Sequence, residues 1–155
     1  MSNAISRSLD NVRRSLERHP EEAAHADAGA TATVGPGLRV DIPDAAGRTL
    51  ATDMPAELGG SGSAPTPGTL LRAALASCAA TTVAMVAAEQ GLELTDVEVT
   101  ADSRSDHRGM LAITDDGADV VPGPLEIVLC YRVAAPAWTP TDCGRWWPPP
   151  GHARR

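Results

Sequence analysis

The sequence predicts an α+β domain in which short antiparallel strands and longer late strands surround one long apolar helix. Three observations carry that expectation. Thr66 to Gly91, TPGTLLRAALASCAATTVAMVAAEQG, is apolar almost all round at helical length. The stretches ATATV, GLRVDI and RTLATDM alternate apolar with polar residues before it, and LTDVEVTAD and LEIVLCYRV do so after it. Turn residues punctuate these runs at short intervals.

Taken in order, Ile5, Leu9, Val12 and Leu16 recur at helical spacing, which predicts an amphipathic helix over residues 4–18 that ends before Pro20. A polar, Ala-rich connector from Glu21 to Gly29 closes a first region, residues 1–29. Gly35-Pro36-Gly37 and Asp44 to Gly47 then separate three short strands of an antiparallel meander. The segment Gly59 to Gly68, GGSGSAPTPG, is too rich in Gly, Ser and Pro for regular structure. It delivers the chain to Thr66 as N-cap and Pro67 as first helical residue, and Gly91 supplies the stop. Two further strands, 94–102 and 125–133, are joined by the charged segment SRSDHRG and a loose Asp/Gly-rich connection.

At 155 residues the chain is the size of one domain. Every basic residue other than histidine is arginine, so Schiff-base chemistry and a lysine general base are excluded, while an arginine can still stabilise an anion. A formal charge of -7 and the lack of a basic stripe oppose nucleic-acid binding. The first twenty residues lack the apolar core of a signal peptide, and no apolar run is expected to cross a bilayer, so no membrane partner is expected. Three cysteines at unpatterned spacings point to a reducing cytoplasm without structural disulfides.

Cys78, in the middle of the apolar helix, is either a buried small hydrophobe or a reactive thiol kept from bulk water. Cys130 sits inside a strand pattern and reads as packing. Asp102, Asp106, Asp115, Asp116 and His107 lack the ordered spacing of a calcium or zinc motif, so a solvated hairpin is expected and no metal. GGSGSAPTPG has no lysine and neither standard glycine spacing of a phosphate-binding loop. No organic cofactor is expected.

The run Asp53 to Cys78, DMPAELGGSGSAPTPGTLLRAALASC, followed by AATTVAM, resembles the OsmC/Ohr family of organic hydroperoxide-detoxifying proteins. It shows a Pro after the strand, a Gly-Gly loop, a Pro opening the helix, and LLRAALASC. Downstream, GLELTDVEVTADSRSDHRG is similar to the segment after that helix in one OsmC-like subfamily. The resemblance covers roughly residues 30–135 and makes residues 30–137 an OsmC-like domain, C-terminally incomplete.

What the resemblance implies is an intertwined homodimer in which Cys78 reduces an organic hydroperoxide, as part of an oxidative stress response. An external thiol or dithiol then reduces the sulfenic acid. A mid-helix thiolate gains little from the helix dipole, so an arginine must stabilise it, and Arg39 or Arg48 on the strands before the helix are the candidates. Two departures are visible. The glutamate that orients the arginine in well-studied relatives is replaced by Gly68, with Glu57 in the preceding loop as a substitute. Neither Cys130 nor Cys143 has the Cys-Pro setting of the family's resolving cysteine. The alternatives are a noncatalytic small-molecule binding or structural dimer, and an inactive truncated paralogue.

From Trp138 to Arg155 the composition changes: all three Trp fall within ten residues, beside prolines and without Leu, Ile or Val. Reading codons from the last base of the Ala137 codon forces Asp from Trp138 and Thr139, Leu from Asp142 and Cys143, and Val from Trp146 and Trp147. That frame permits a capped amphipathic helix where the family expects one. Residues 138–155 are therefore expected to be an atypical Trp/Pro-rich, frameshifted tail.

Overall fold

The computed structural model describes the backbone of residues 2–136 and 141–147 and the side chains of residues 4–136. Its elements run helix α1 (Ser2–Arg18), strands β1 (Thr33–Val34), β2 (Val40–Pro43) and β3 (Thr49–Thr52), and helix α2 (Pro67–Glu89). Strand β4 (Asp96–Ser105), the short helix α3 (His107–Met110), and strands β5 (Pro124–Ala134) and β6 (Thr141–Trp147) follow. The chain is α+β with antiparallel strands and a long apolar helix, as the residue pattern predicts. Two units are distinguished, residues 8–74 and residues 1–7 together with 75–155.

In the unit of residues 8–74, β1, β2 and β3 form an antiparallel meander in that order. The β2–β3 turn is built by Asp44, whose Oδ1 accepts from the backbone N–H groups of Ala46 and Arg48, both at 2.9 Å, while Gly47 takes φ +80°. An aspartate that satisfies backbone donors two and four residues on replaces the hydrogen bonds a tight turn leaves open. Thr52 and Asp53, at the end of β3, are buried.

Helix α2 starts and stops where its flanking residues dictate. Thr66 Oγ1 accepts from Thr69 N–H at 3.2 Å, an N-cap, with Pro67 at the first helical position. At the other end Gly91 adopts φ +68°. Its N–H donates to the Ala88 carbonyl (3.2 Å) and that of Leu92 to the Ala87 carbonyl (2.8 Å), the paired bonds of a Schellman stop. The expectation that no run could cross a bilayer is corrected here. At 23 residues, α2 is long and apolar enough to do so by length and composition, because its two charged residues, Arg72 and Glu89, do not offset its many Ala, Leu, Val and Met side chains.

In the other unit β4, β5 and β6 form an antiparallel sheet in that order. The alternation of β4 and β5 sets its two faces. Val97, Val99, Ala101 and Ser103 share one face with Val133, Tyr131, Leu129 and Ile127, the last two buried at 6% and 3% exposure. The opposite face carries Glu98, Thr100 and Asp102 on β4 and Arg132 and Cys130 on β5. There Arg132 holds Asp96 and Glu98, each at 2.6 Å.

The late elements depart from the sequence expectation. β4 runs on through Ser105 into the charged segment, and α3 follows with Asp106 as its N-cap. Thr141–Trp147 of the tail forms β6, paired along β5 with Cys143 opposite Cys130. Cys130 is disulfide-bonded, against the expectation of reduced cysteines. Pairing across a ladder brings together residues that cysteine spacing cannot associate.

Candidate functional site

The thiol expected from the sequence lies at the middle residue of α2. Cys78 is free and exposed, and its carbonyl oxygen accepts from Thr82 Oγ1 at 2.9 Å. That extra bond from the following turn is the common resting place of a threonine hydroxyl inside a helix. Mid-helix placement removes the thiol from the field of the helix terminus, which decays within about one turn. Leu71, Met85 and Val86 on the same helix are exposed too.

Arg39 and Arg48 belong to the unit of residues 8–74 and face different partners. Arg48 is engaged by its own turn: Asp44 Oδ2 lies 2.6 Å from both its Nε and its Nη2. Arg39, just before β2, reaches across 24 residues of sequence to donate from Nη1 to Ser63 Oγ (3.0 Å), and its Nη2 lies 3.2 Å from Asp41. Arg39 therefore touches the loop that leads into α2.

That loop is organised by a residue the sequence reading did not single out. Asp53 is 1% exposed, and its Oδ2 accepts from the Ser61 hydroxyl (2.6 Å), the Ser61 N–H (3.2 Å), the Ser63 N–H (3.0 Å) and the Ser63 hydroxyl (2.9 Å). Oδ1 accepts from Met54 N–H at 2.8 Å. The Ser61 hydroxyl above all, then the Ser63 N–H, hold the Asp53 carboxyl well below the ordinary carboxylate range. Ser63 is thus a relay, accepting from Arg39 and donating to Asp53.

The close turn needs Gly60, where a Cβ would meet the Met54 carbonyl oxygen at 1.9 Å and Asp53 Oδ1 at 2.8 Å. The available sequence signal was an aspartate at a strand end followed eight and ten residues later by serines in a glycine-rich loop.

The two departures noted in the sequence have clear positions. A Cβ at Gly68 would sit 3.5 Å from Arg72 Nη1, in ordinary contact, so this helix position faces a different arginine from either candidate. Glu57 is exposed in a short 3-10 turn, Ala56–Leu58.

Elsewhere the charged hairpin is used internally: Arg108 holds Asp106 at 2.7 Å and Asp115 at 3.0 Å, which keeps the Asp106 carboxyl below its ordinary range. Among the described residues one exposed trio, His19, Glu21 and Glu22, brings its polar atoms within 4.8 Å of one another. A cavity of 320 Å³ in the unit with 75–155 is lined by Ile5, Ala84, Ala87, Ala88, Leu92 and Leu94, with Glu93 and Asp96 also at its wall. None of Cys78, Arg39 or Arg48 lines it.

Residues 60–140, just over half of the chain, match the family model described as OsmC-like protein. The match takes in α2, β4 and β5 and ends three residues into the tail. No curated protein matches the chain.

Proposed function

The chain belongs to the OsmC-like protein family, and from that membership we propose that it reduces organic hydroperoxides with the thiol of Cys78. One observation carries the reading: the family match spans the helix whose middle residue is a free, exposed cysteine. The Cys78 thiolate attacks the terminal peroxide oxygen and the O–O bond breaks. The alkoxide leaves as an alcohol after taking a proton, and Cys78 is left as a sulfenic acid. An external thiol condenses with it, releasing water, and a second thiol equivalent restores the thiol.

Arg39 is the arginine we assign as the thiolate's countercharge, because its guanidinium donates to Ser63 Oγ on the loop entering α2, and Ser63 is in turn bound to Asp53. Arg48, the other candidate, is engaged by Asp44 within its own turn. The exposed Leu71, Met85 and Val86 of α2 and Val12 and Leu16 of α1 support a homodimer in which a second copy covers these residues. Burial there would give the peroxide an apolar crevice. A helix covered in this way, rather than a membrane span, supports a cytoplasmic protein without a membrane partner, and the formal charge of -7 opposes nucleic-acid binding.

A second reading, a noncatalytic binding or structural dimer, is favoured by one observation: both candidate arginines already have carboxylate partners, Asp41 for Arg39 and Asp44 for Arg48. Consumption of cumene hydroperoxide by the full chain with dithiothreitol as reductant separates the two. Turnover that vanishes in Cys78→Ser supports the reductase. A rate no faster than that of dithiothreitol alone, in wild type and C78S alike, leaves the noncatalytic reading.

A further inference from the structure

We infer that Cys130 and Cys143 form a reducible clasp that fastens the edge strand β6 to β5. The chain has three cysteines, of which Cys78 is free and Cys130 is disulfide-bonded. The backbone register sets Cys143 directly opposite Cys130 in the antiparallel β5–β6 pair. Directly opposed residues in such a pair have Cα atoms about 4.5–5.5 Å apart, inside the range of about 4.4–6.8 Å that a disulfide accepts. The register itself therefore selects the partner.

The placement also makes the bond exchangeable. β6 is an edge strand, held by one neighbour, and it carries Gly144 next to the cysteine, which weakens a strand. Cys130 lies on the sheet face shared with Thr100, Glu98 and Arg132, opposite the buried Ile127 and Leu129, and is itself only half-buried. A small-molecule disulfide is the oxidant. One protein thiolate attacks it, its S–S bond breaks, and one small thiol leaves, giving a mixed disulfide. The second protein thiolate then attacks the protein sulfur of that mixed disulfide and expels the second small thiol. Two protein thiols are oxidised, one small disulfide becomes two thiols, and the two protons lost by the protein end on them. Closure ties down the twelve residues between positions 130 and 143 and holds β6 in the ladder. This clasp does not depend on any reactivity of Cys78.

The test equilibrates the full chain in mixtures of reduced and oxidised dithiothreitol, traps it with N-ethylmaleimide, and reads adducts by intact mass and peptide mapping. The expected result is three adducts under reducing conditions and one, on Cys78, under oxidising conditions, with a peptide joining Cys130 to Cys143. Cys143→Ser should take two adducts under both conditions, and Cys78→Ser should keep the 130–143 link. Amide exchange across Thr141–Trp147 should slow on oxidation. Three adducts at every dithiothreitol ratio, a link from Cys78 to either other cysteine, a bond between two chains, or β6 exchange that ignores oxidation would each overturn the clasp.

Discussion

Gly60 offers the sharpest test of how the loop before α2 is held. In Gly60→Ala the new Cβ would lie 1.9 Å from the Met54 carbonyl oxygen and 2.5 Å from its carbon, so backbone, not a flexible side chain, must move. Ordinary contact begins at 3.4 Å, which requires a displacement of about 1.5 Å. That shift strains the bonds from Gly62 N–H to the Met54 carbonyl (3.0 Å) and from Gly60 N–H to the Pro55 carbonyl (3.1 Å). Losing two backbone hydrogen bonds at about 0.5–1.5 kcal/mol each, with overpacking strain added, destabilises by about 2–5 kcal/mol.

In a domain of this size that lowers the melting temperature by roughly 5–15 °C. Thermal unfolding followed by far-ultraviolet circular dichroism reads it. Gly62→Ala is the control: its φ is +65° with nothing within 4 Å of the added Cβ, so only the left-handed penalty of about 1–2 kcal/mol applies. A G60A protein that melts no lower than G62A refutes the close-approach argument.

Asp53 makes the fold acid-sensitive. Its carboxyl is depressed when folded, so the unfolded chain binds the proton more readily; the stabilisation is complete above the ordinary aspartate value of 3.8 and drains away as pH falls below it. Urea midpoints measured from pH 7 down to about pH 3 should fall less steeply in Asp53→Asn than in wild type, and parallel slopes would show that the carboxyl is not the cause. Leu129→Ala removes a side chain that is 6% exposed in the β4–β5–β6 sheet and should cost about 2–5 kcal/mol, read as a lowered urea midpoint at constant slope. If Arg39 supplies the countercharge of the Cys78 thiolate, Arg39→Ala slows Cys78-dependent consumption of cumene hydroperoxide by about a hundredfold while Arg48→Ala leaves the rate in place. Identical rates for wild type and both variants remove the countercharge from either arginine.

Local signals in the sequence were sufficient for the framework. Thr66, Pro67 and Gly91 bounded α2 because capping is a property of a few adjacent residues, and alternation set the two faces of β4 and β5 for the same reason. The loop run with LLRAALASC carried the family resemblance, and Cys78 with it, in one contiguous stretch. What the sequence could not supply was pairing between distant segments.

The Arg39–Ser63–Asp53 relay joins residues ten and twenty-four apart through a glycine turn whose tightness depends on Met54. β6 took shape in a tail that the sequence reading treated as atypical and frameshifted, and position 143 came opposite Cys130 only once that ladder existed. Caps and alternation are written within a few neighbouring residues, so composition order alone determines them. Hydrogen-bonded networks, disulfide partners and the burial of one aspartate depend on which chain segments meet, and that is decided by the folded backbone.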